Sequence, residues 1–287
     1  MRRKIARHLE RLQDWIRRFG RPPRLGLSLG SGAALGVAHI GVLSVFYEMN
    51  IPISFLSGSS AGSIVGALYA GGIEGPELEA CGRDYRWRDA GRLNYFPKMG
   101  LARNHRVVDY LRERIGDARF EDLRIPFFVT ATHLASGTLK IFSTGPVIPA
   151  VRASCAIPGI FSPVEIDGEL YCDGGVLRKN PCGVLREAGA DQVICSMVDN
   201  SEARAQPTNI FEVIRRALDI AMQDQVQQST EKADIIIRPD LRDLKEFDFD
   251  QNDVLIERGK KEARKILASW PVLEMALPRT KPIKGPA

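Results

Sequence analysis

The chain has 287 residues, 44% of them apolar and 26% charged, which is enough to bury a full core and unlike a disordered or fibrous protein. Its five cysteines are odd in number and scattered without a CxxC pair, which argues against a disulfide framework or a zinc site and fits a reducing cytoplasm. The formal net charge is +5, but residues 1–24 hold nine Arg and Lys against two acidic residues, so the basic charge belongs to this segment.

The N-terminal segment has an apolar stripe at helical spacing on an otherwise cationic helix, formed by Ile5, Leu9, Leu12, Trp15, Ile16 and Phe19. Such a helix fits contact with an anionic membrane. It also fits docking on the protein's own domain or on another subunit, and both interpretations stay open. Gly20 and Pro22-Pro23 end the helix, so we predict a helix and linker over residues 1–23.

The remaining chain is expected to form one domain over residues 24–272, followed by a disordered tail over residues 273–287. No uninterrupted apolar run reaches the roughly 18 residues of a membrane span. The prediction is therefore a cytoplasmic protein, with peripheral contact at the inner face of the membrane through the N-terminal helix as a further expectation. The oligomeric state is left open.

From Arg24 onward, short aliphatic runs alternate with longer segments of helical periodicity. Strands are predicted at Leu25–Leu29, Ile53–Leu56, Phe127–Thr132, Gln192–Met197 and Ile235–Ile237. Helices are predicted at Val37–Glu48, from Ser60, at Asn209–Gln228 and at Asp253–Trp270. A hairpin is predicted over Leu134–Phe142 with Ser136-Gly137 as its turn. This alternation predicts an α/β fold whose mostly parallel central sheet is flanked by helices.

Residues 81–120 are the least regular part of the chain, because arginines there mingle with tyrosine, tryptophan and phenylalanine. That mixture also occurs on nucleic-acid-binding surfaces. Acidic neighbours such as Asp84 and Asp109 dilute it, and the domain as a whole is close to neutral. We therefore favour a solvated face or a flap over the active site, and expect no nucleic-acid partner.

The turn after the second predicted strand matches GxSxG, in the residues Gly58-Ser59-Ser60-Ala61-Gly62. At a sharp strand-to-helix turn the middle residue has a strained backbone, and the residues two before and two after it approach closely. Glycine at 58 and 62 removes that obstacle, and Ser60 stands at the helix N-terminus, where the helix dipole favours negative charge. By register, Ser57, Ser59 and Ser63 are not in the position of a nucleophile. The same match also occurs by chance in ordinary tight turns.

A serine hydroxyl needs a base, and the usual partner is histidine. The four histidines are His8, His39, His105 and His133. None of them occupies the late position of an α/β-hydrolase histidine, so each is interpreted as structural or exposed. A different residue type is therefore expected to act as the base.

Asp173-Gly174-Gly175 supplies such a residue, because two glycines let the backbone bend so that the carboxylate faces a neighbouring loop. DGG is also a common hairpin turn. Apolar neighbours, among them Ile160 and Phe161, favour a pocket that raises the pKa of the carboxyl group toward the working range.

A third cluster of small residues follows the first strand, at Gly30-Ser31-Gly32-Ala33, and opens a helix. Several backbone N–H groups can then point to one place. Such a group of donors suits the oxyanion of a tetrahedral intermediate. A dinucleotide-binding loop is the competing interpretation. Its glycines would be spaced GxGxxG rather than the GxGxxxG found here, and no acidic residue ends the second strand.

Taken together, GSGAALGVAHIGVL, GSSAG, RASCAIPGIFSPVEIDGELYCDGGV and NPCGVLREAGAD resemble the patatin-like phospholipase family, over about Leu25 to Trp270. The resemblance implies a three-layer fold, a catalytic dyad of Ser60 and Asp173, and an oxyanion loop at Gly30, Ser31, Gly32 and Ala33. The glycines that support these motifs are Gly58, Gly62, Gly174 and Gly175. It also implies hydrolysis of lipid acyl esters without a metal or another cofactor, with (lyso)phospholipids as substrates.

Four positions depart from the family pattern. Ser31 and Ala33 replace glycines of the usual GGGxRG signature, and Leu35 stands in place of its arginine. Backbone donors survive the first two changes, whereas the third removes a fixed cation beside the loop. His133 stands where similar sequences carry aspartate. A binding or regulatory protein that has kept the fold but lost turnover is therefore the alternative to an enzyme. Arg152 and Pro158 in RASCAIPG are interpreted as structural.

Overall fold

The computed structural model describes residues 20–85, 92–93, 99–199, 230–245 and 250–270, with isolated positions at 206, 213, 216–217, 220 and 248. The predicted N-terminal helix, most of the predicted helix Asn209–Gln228 and the C-terminal tail lie outside these residues. Among the helices in the described ranges, none combines the length and the apolar character needed to cross a membrane.

The described chain alternates strands and helices. The strands are β1 (Leu25–Leu29), β2 (Phe55–Ser59), β3 (Arg92–Leu93), β4 (Ala102–Arg103), β5 (Phe127–His133), β6 (Thr138–Phe142), β7 (Val164–Ile166), β8 (Glu169–Asp173), β9 (Gln192–Ser196) and β10 (Ile235–Ile237). The helices are α1 (Ala38–Glu48), α2 (Ala61–Ala70), α3 (Pro76–Asp84), α4 (His105–Ile115), α5 (Val147–Ser154), α6 (Cys182–Glu187) and α7 (Asn252–Ser269).

The central sheet has the strand order β10-β9-β1-β2-β5-β8-β7, and β6 also pairs with β5. The pairs from β10 to β5 are parallel, whereas β6 and β8 run antiparallel to β5 and β7 runs antiparallel to β8. The predicted α/β fold with a mostly parallel sheet is therefore confirmed. Its antiparallel end, which carries Asp173, was not specified by the sequence.

Side chains of the sheet alternate between two buried layers, as expected for strands covered on both faces. On one face, Leu25, Leu27 and Leu29 of β1 join the main core with α1, α2 and α7. On the other face, Val193 and Cys195 of β9 pack in a smaller core beneath α6. The result is three layers, with helices on both sides of the sheet.

One local expectation is corrected, and two helices are found that the sequence did not predict. The second strand is Phe55–Ser59 rather than Ile53–Leu56, because Ser57 and Gly58 pair with both β1 and β5 and the ladder overrides their low strand propensity. Helices α3 and α4 were not predicted in the charged region. Helix α3 begins with Pro76, and α4 buries Val107 and Leu111 four residues apart.

The hairpin of β5 and β6 has the predicted turn, with Gly137 at φ 66°, but its first arm is β5 itself. The five cysteines are all free and buried.

Candidate active site

Ser60 occupies the single position between β2, which ends at Ser59, and α2, which begins at Ala61. Its backbone has φ 51° and ψ −124°, a conformation that costs on the order of 1–3 kcal/mol. A Cβ atom on Gly58 would lie 2.7 Å from the Gly62 carbonyl oxygen, and a Cβ on Gly62 would lie 2.6 Å from the Leu29 carbonyl carbon. Only glycine therefore fits at these two positions without a shift of the backbone.

The carboxyl group of Asp173 lies against this turn. Ser60 Oγ donates a hydrogen bond to Asp173 Oδ2 at 2.6 Å, and Gly175 N–H donates to Asp173 Oδ1 at 2.7 Å. A Cβ on Gly174 would lie 2.8 Å from Thr130 Oγ1, so the loop packs directly on β5. The structure thus brings together the two residues that the resemblance implies as a dyad.

The sheet explains how residues 113 positions apart meet. Strand β5 pairs with β2 through Phe127–Thr130 and with β8 through Ala131–His133. Because β6 pairs along Val129–His133, which overlaps both stretches, β2 and β8 must share the opposite edge of β5. One is parallel to β5 and the other antiparallel, so their carboxyl ends face each other and place Ser60 beside Asp173.

Burial sets the ionisation of the carboxyl group. Asp173 is 5% exposed and Ser60 is 6% exposed. Burial raises the pKa of Asp173 from its ordinary 3.8 to about 6, although the hydrogen bonds from Ser60 and Gly175 and the charge of Lys179 act in the opposite direction. At neutral pH the carboxylate is ionised and can accept the proton of the Ser60 hydroxyl.

The other serines of the turn have separate hydrogen-bond partners. Ser57 Oγ donates to the Pro181 carbonyl at 3.1 Å, and Ser63 Oγ donates to the Ser60 carbonyl at 2.6 Å. Ser59 Oγ accepts from Ser31 Oγ at 3.0 Å, which links the turn to the loop after β1. These contacts agree with the register argument, because none of the three hydroxyls contacts Asp173 in the part of the chain that the structure describes.

Two residues next to Ser60 were missed by the sequence argument. Ser154 Oγ accepts the hydrogen bond of Ser60 N–H at 2.8 Å, and the Cys155 thiol donates to the Ser60 carbonyl at 3.3 Å. Both belong to the RASCAIPG segment. Their small polar side chains within an otherwise apolar segment are the signal that points to them.

The amides of the loop after β1 divide into two pairs. Gly30 N–H donates to the Ser196 carbonyl at 3.1 Å, and Ser31 N–H donates to the Lys179 carbonyl at 2.9 Å. The N–H groups of Gly32 and Ala33 have no acceptor among the residues that the structure describes. The predicted oxyanion loop therefore contains two amides that remain available, and Ala33 lines the same cleft as Ser60.

His39 supports the loop after β1 through contacts of both its ring nitrogens. Its Nε2 lies 2.8 Å from the Gly30 carbonyl and its Nδ1 lies 2.7 Å from Ser196 Oγ. A carbonyl only accepts, so Nε2 carries the proton and Nδ1 accepts from the hydroxyl. Burial lowers the pKa of His39 to about 4, so the ring is neutral at physiological pH. His39 thus has a structural role, as the sequence suggested.

The substitutions in the loop have different consequences. Ala33 adopts φ 46°, a left-handed conformation that costs an L-residue roughly 1–2 kcal/mol and that a glycine would adopt readily. Leu35 is 0% exposed and packs in the main core. An arginine placed there would bury a charge in that core, so the loop is held by apolar packing where the family pattern has a cation.

The other histidines lie away from the Ser60–Asp173 pair. His133 Nε2 lies 2.8 Å from Glu169 Oε2 and Nδ1 lies 2.7 Å from Ser136 Oγ. His105 is exposed at the start of α4, and His8 lies outside the described residues. None of the described histidines contacts Ser60 or Asp173.

Ser60 lines a cleft of about 670 Å³, a volume that includes the part open to solvent. Its walls are mainly apolar and come from α1, α2, α4 and the loop before β7, with side chains that include Ile40, Ile64, Leu68, Tyr110, Ile157 and Phe161. An extended apolar group fits such a lining.

Comparison with known proteins places these motifs in a family. The model of the patatin-like phospholipases matches residues 27–186. An uncharacterised NTE family protein of Mycobacterium tuberculosis is 37% identical over 183 residues, which cover 63% of this chain and 51% of the relative. The lysophospholipase NTE1 of Cryptococcus neoformans is 34% identical over 179 residues, which cover 60% of this chain and 11% of the relative.

The chain therefore spans about half the length of the mycobacterial relative and about a tenth of the fungal one. Among solved structures, VipD from Legionella pneumophila aligns with a TM-score of 0.44 and 13% identity, over 86% of this chain and 67% of VipD.

Proposed function

Because the chain belongs to the patatin-like phospholipase family, we propose that it is a serine hydrolase that cleaves carboxylic ester bonds of phospholipids, lysophospholipids or related lipids. The observation that carries the proposal is the 2.6 Å hydrogen bond from Ser60 Oγ to Asp173 Oδ2, buried at the wall of an apolar cleft. A nucleophile in direct contact with a base is the minimum arrangement for acyl transfer through an acyl-enzyme.

In the first step, Asp173 takes the Ser60 proton while Oγ attacks the ester carbonyl carbon, and the carbonyl electron pair moves to oxygen. The two available amides, of Gly32 and Ala33, are the proposed donors to that oxyanion, with Gly30 and Ser31 as the residues that fix the loop. One well-placed donor contributes about 3–4 kcal/mol to the transition state. The tetrahedral intermediate then expels the alcohol oxygen, which takes the proton back from Asp173.

In the second step, Asp173 removes a proton from water, and the hydroxide attacks the acyl-enzyme carbonyl. Collapse of this intermediate releases the fatty acid and returns the proton to Ser60. The same carboxyl group thus serves as base and then as acid in each half of the reaction. A pKa of about 6 suits both roles near neutral pH.

The apolar cleft supports a lipid as the substrate. The side chains that line it offer burial to an acyl chain whose ester lies at Ser60. The printed name of the fungal relative, lysophospholipase, points to the same class. We propose that residues 1–23 bring the domain over residues 24–272 to an anionic membrane surface, where such substrates are found.

Fatty-acid release from lysophosphatidylcholine by the purified chain tests the proposal. We expect release by wild type and no release by Ser60→Ala. If folded wild-type protein binds the lipid but releases no fatty acid, the alternative of a binding or regulatory protein is correct. Leu35 motivates that alternative, because it removes the cation of the family pattern.

A further inference from the structure

Two arginines lie next to Asn104, a residue that lines the cleft. Arg152 is half-buried on α5, and its Nε donates to Asn104 Oδ1 at 3.2 Å, while Asn104 Nδ2 donates to the Arg152 carbonyl at 2.8 Å. Asn104 is itself fully buried and lines the cleft. Arg103, the neighbouring residue in the chain, is exposed.

The backbone segments that carry these arginines are tied to residues that line the cleft. Arg152 precedes Cys155 by three residues, which places both on one side of the helix end, and Cys155 lines the cleft. The strand that carries Arg103 is pinned to another cleft-lining segment. Ala102 N–H donates to the Ile160 carbonyl at 2.9 Å, and Ser162 N–H donates to the Ala102 carbonyl at 2.9 Å.

Among the residues that the structure describes, neither Arg103 nor Arg152 forms an ion pair with a carboxylate, and the partner of Arg152 is the neutral side chain of Asn104. Burial lowers the pKa of Arg152, and the charge of Arg103 lowers it further. Burial lowers the pKa of His105, the charges of Arg152 and Arg103 lower it further, and Asp109 acts in the opposite direction. Neighbouring cations without a counter-ion create a positive potential that an anion would neutralise.

We propose that Arg103 and Arg152 form a binding site for the phosphate group of a lipid whose ester lies at Ser60. The inference rests on the proposed function and specifies its substrate class. Guanidinium groups bind phosphate oxygens through paired, charge-assisted hydrogen bonds. In a glycerophospholipid only the glycerol backbone separates ester from phosphate, so a site next to cleft-lining Asn104 can hold the phosphate. These arginines also supply a cation at the site although position 35 carries leucine.

Two short-chain lipids, 1-hexanoylglycerol 3-phosphate and 1-monohexanoylglycerol, test the site because they differ in the phosphate alone. We expect wild type to have the higher kcat/KM on the phosphate-bearing lipid, and Arg103→Gln and Arg152→Gln each to reduce that preference about tenfold. Arg112→Gln on α4, an exposed arginine paired with Asp117, should keep the preference. Arg103→Gln is the decisive variant, because Arg103 is exposed whereas Arg152 also holds Asn104.

A binding measurement separates this inference from the proposed function. Calorimetry on Ser60→Ala should show tighter binding of the phosphate-bearing lipid, and addition of Arg103→Gln should remove the difference, whether or not wild type hydrolyses either lipid. Equal affinities for the two lipids, or an equal loss in Arg112→Gln, would overturn the site. If inorganic phosphate binds as tightly as the lipid, the arginines hold free phosphate and the assignment to a lipid headgroup is wrong.

Discussion

Strand β8 carries a carboxylate at each end. One accepts a hydrogen bond from a serine hydroxyl, and the other accepts a hydrogen bond from a histidine ring. At its carboxyl end, Asp173 lies 2.6 Å from Ser60 Oγ and is 5% exposed. At its amino end, Glu169 lies 2.8 Å from His133 Nε2, and 56% of its side chain is exposed. Similar contact distances thus occur in one buried and one solvated setting.

Residue type alone does not locate the site. Histidine is the more usual base, yet His133 pairs with Tyr171 and its ring contacts Glu169, which lies four residues and roughly 13 Å along β8 from Asp173. Burial raises the pKa of Asp173 to about 6 and shields its contact with Ser60 from water. A carboxylate in that setting has the properties of a general base, whereas an exposed contact between polar side chains contributes little to stability.

The largest effect on kcat should come from changing Asp173, and the same change at Glu169 is the comparison. Asp173→Asn removes the base at Ser60 and should reduce kcat for ester hydrolysis by about 10²–10⁴-fold. Glu169→Gln, the matched change at the other end of the strand, should leave kcat essentially unchanged. Steady-state assays on both folded variants check this. Equal losses, or a fully active Asp173→Asn, would show that the buried pair is not the reactive one.

A substitution in the loop that positions Asp173 should have the next largest effect on kcat. A Cβ on Gly175 would lie 2.6 Å from Ser31 Oγ and 2.9 Å from Asp173 Oδ1, so Gly175→Ala must displace one of them. A displacement of that size should reduce kcat by about 10²-fold. Gly183→Ala is the control, because the nearest atom to its Cβ is 3.7 Å away. Wild-type activity in Gly175→Ala would contradict the close fit.

The pH dependence of ester hydrolysis should follow the ionisation of the buried Asp173 carboxyl group. Asp173 acts as base only when ionised, so kcat/KM should rise as pH increases through about 6 and should fall about tenfold per pH unit below it. The measurement is a pH–rate profile on a soluble ester, with Glu169→Gln measured in parallel. An acid limb near pH 4 would mean that burial does not raise the pKa of the base.

The smallest effect concerns the exposed pair. His133→Ala breaks the contact with Glu169 and should change the free energy of unfolding by about 0–1 kcal/mol, with no effect on hydrolysis. Urea denaturation measures the first and an ester assay the second. A large loss of activity in His133→Ala would give the exposed end of β8 a role that its position does not support.

Much of the site was predictable because it depends on local geometry. Glycine at 58 and 62 indicates a turn with no room for a side chain. Gly174-Gly175 indicates a backbone that packs closely on a neighbouring strand. The proximity of Ser60 to Asp173 depends instead on the antiparallel direction of β8, a long-range pairing that no local pattern encodes. The resemblance to a known family supplied it.

Other features could not be predicted from the sequence, because they also depend on contacts between distant parts of the chain. The burial of Leu35 and the left-handed backbone of Ala33 depend on the neighbours of the loop in space. Helices α3 and α4 lie in a segment whose charged residues obscure the apolar spacing, and they were recognised only in the structure. Arg103 and Arg152, which have no carboxylate partner within the described residues, belong to this group as well.

Active-site labelling with a fluorophosphonate tests the central claim most directly, because the reagent reacts with a serine hydroxyl only where a base activates it. We predict one adduct on wild-type protein, mapped to Ser60 by mass spectrometry, absent from Ser60→Ala and strongly reduced in Asp173→Asn but not in Glu169→Gln. An unlabelled folded wild type, or an adduct on a different residue, would contradict the account.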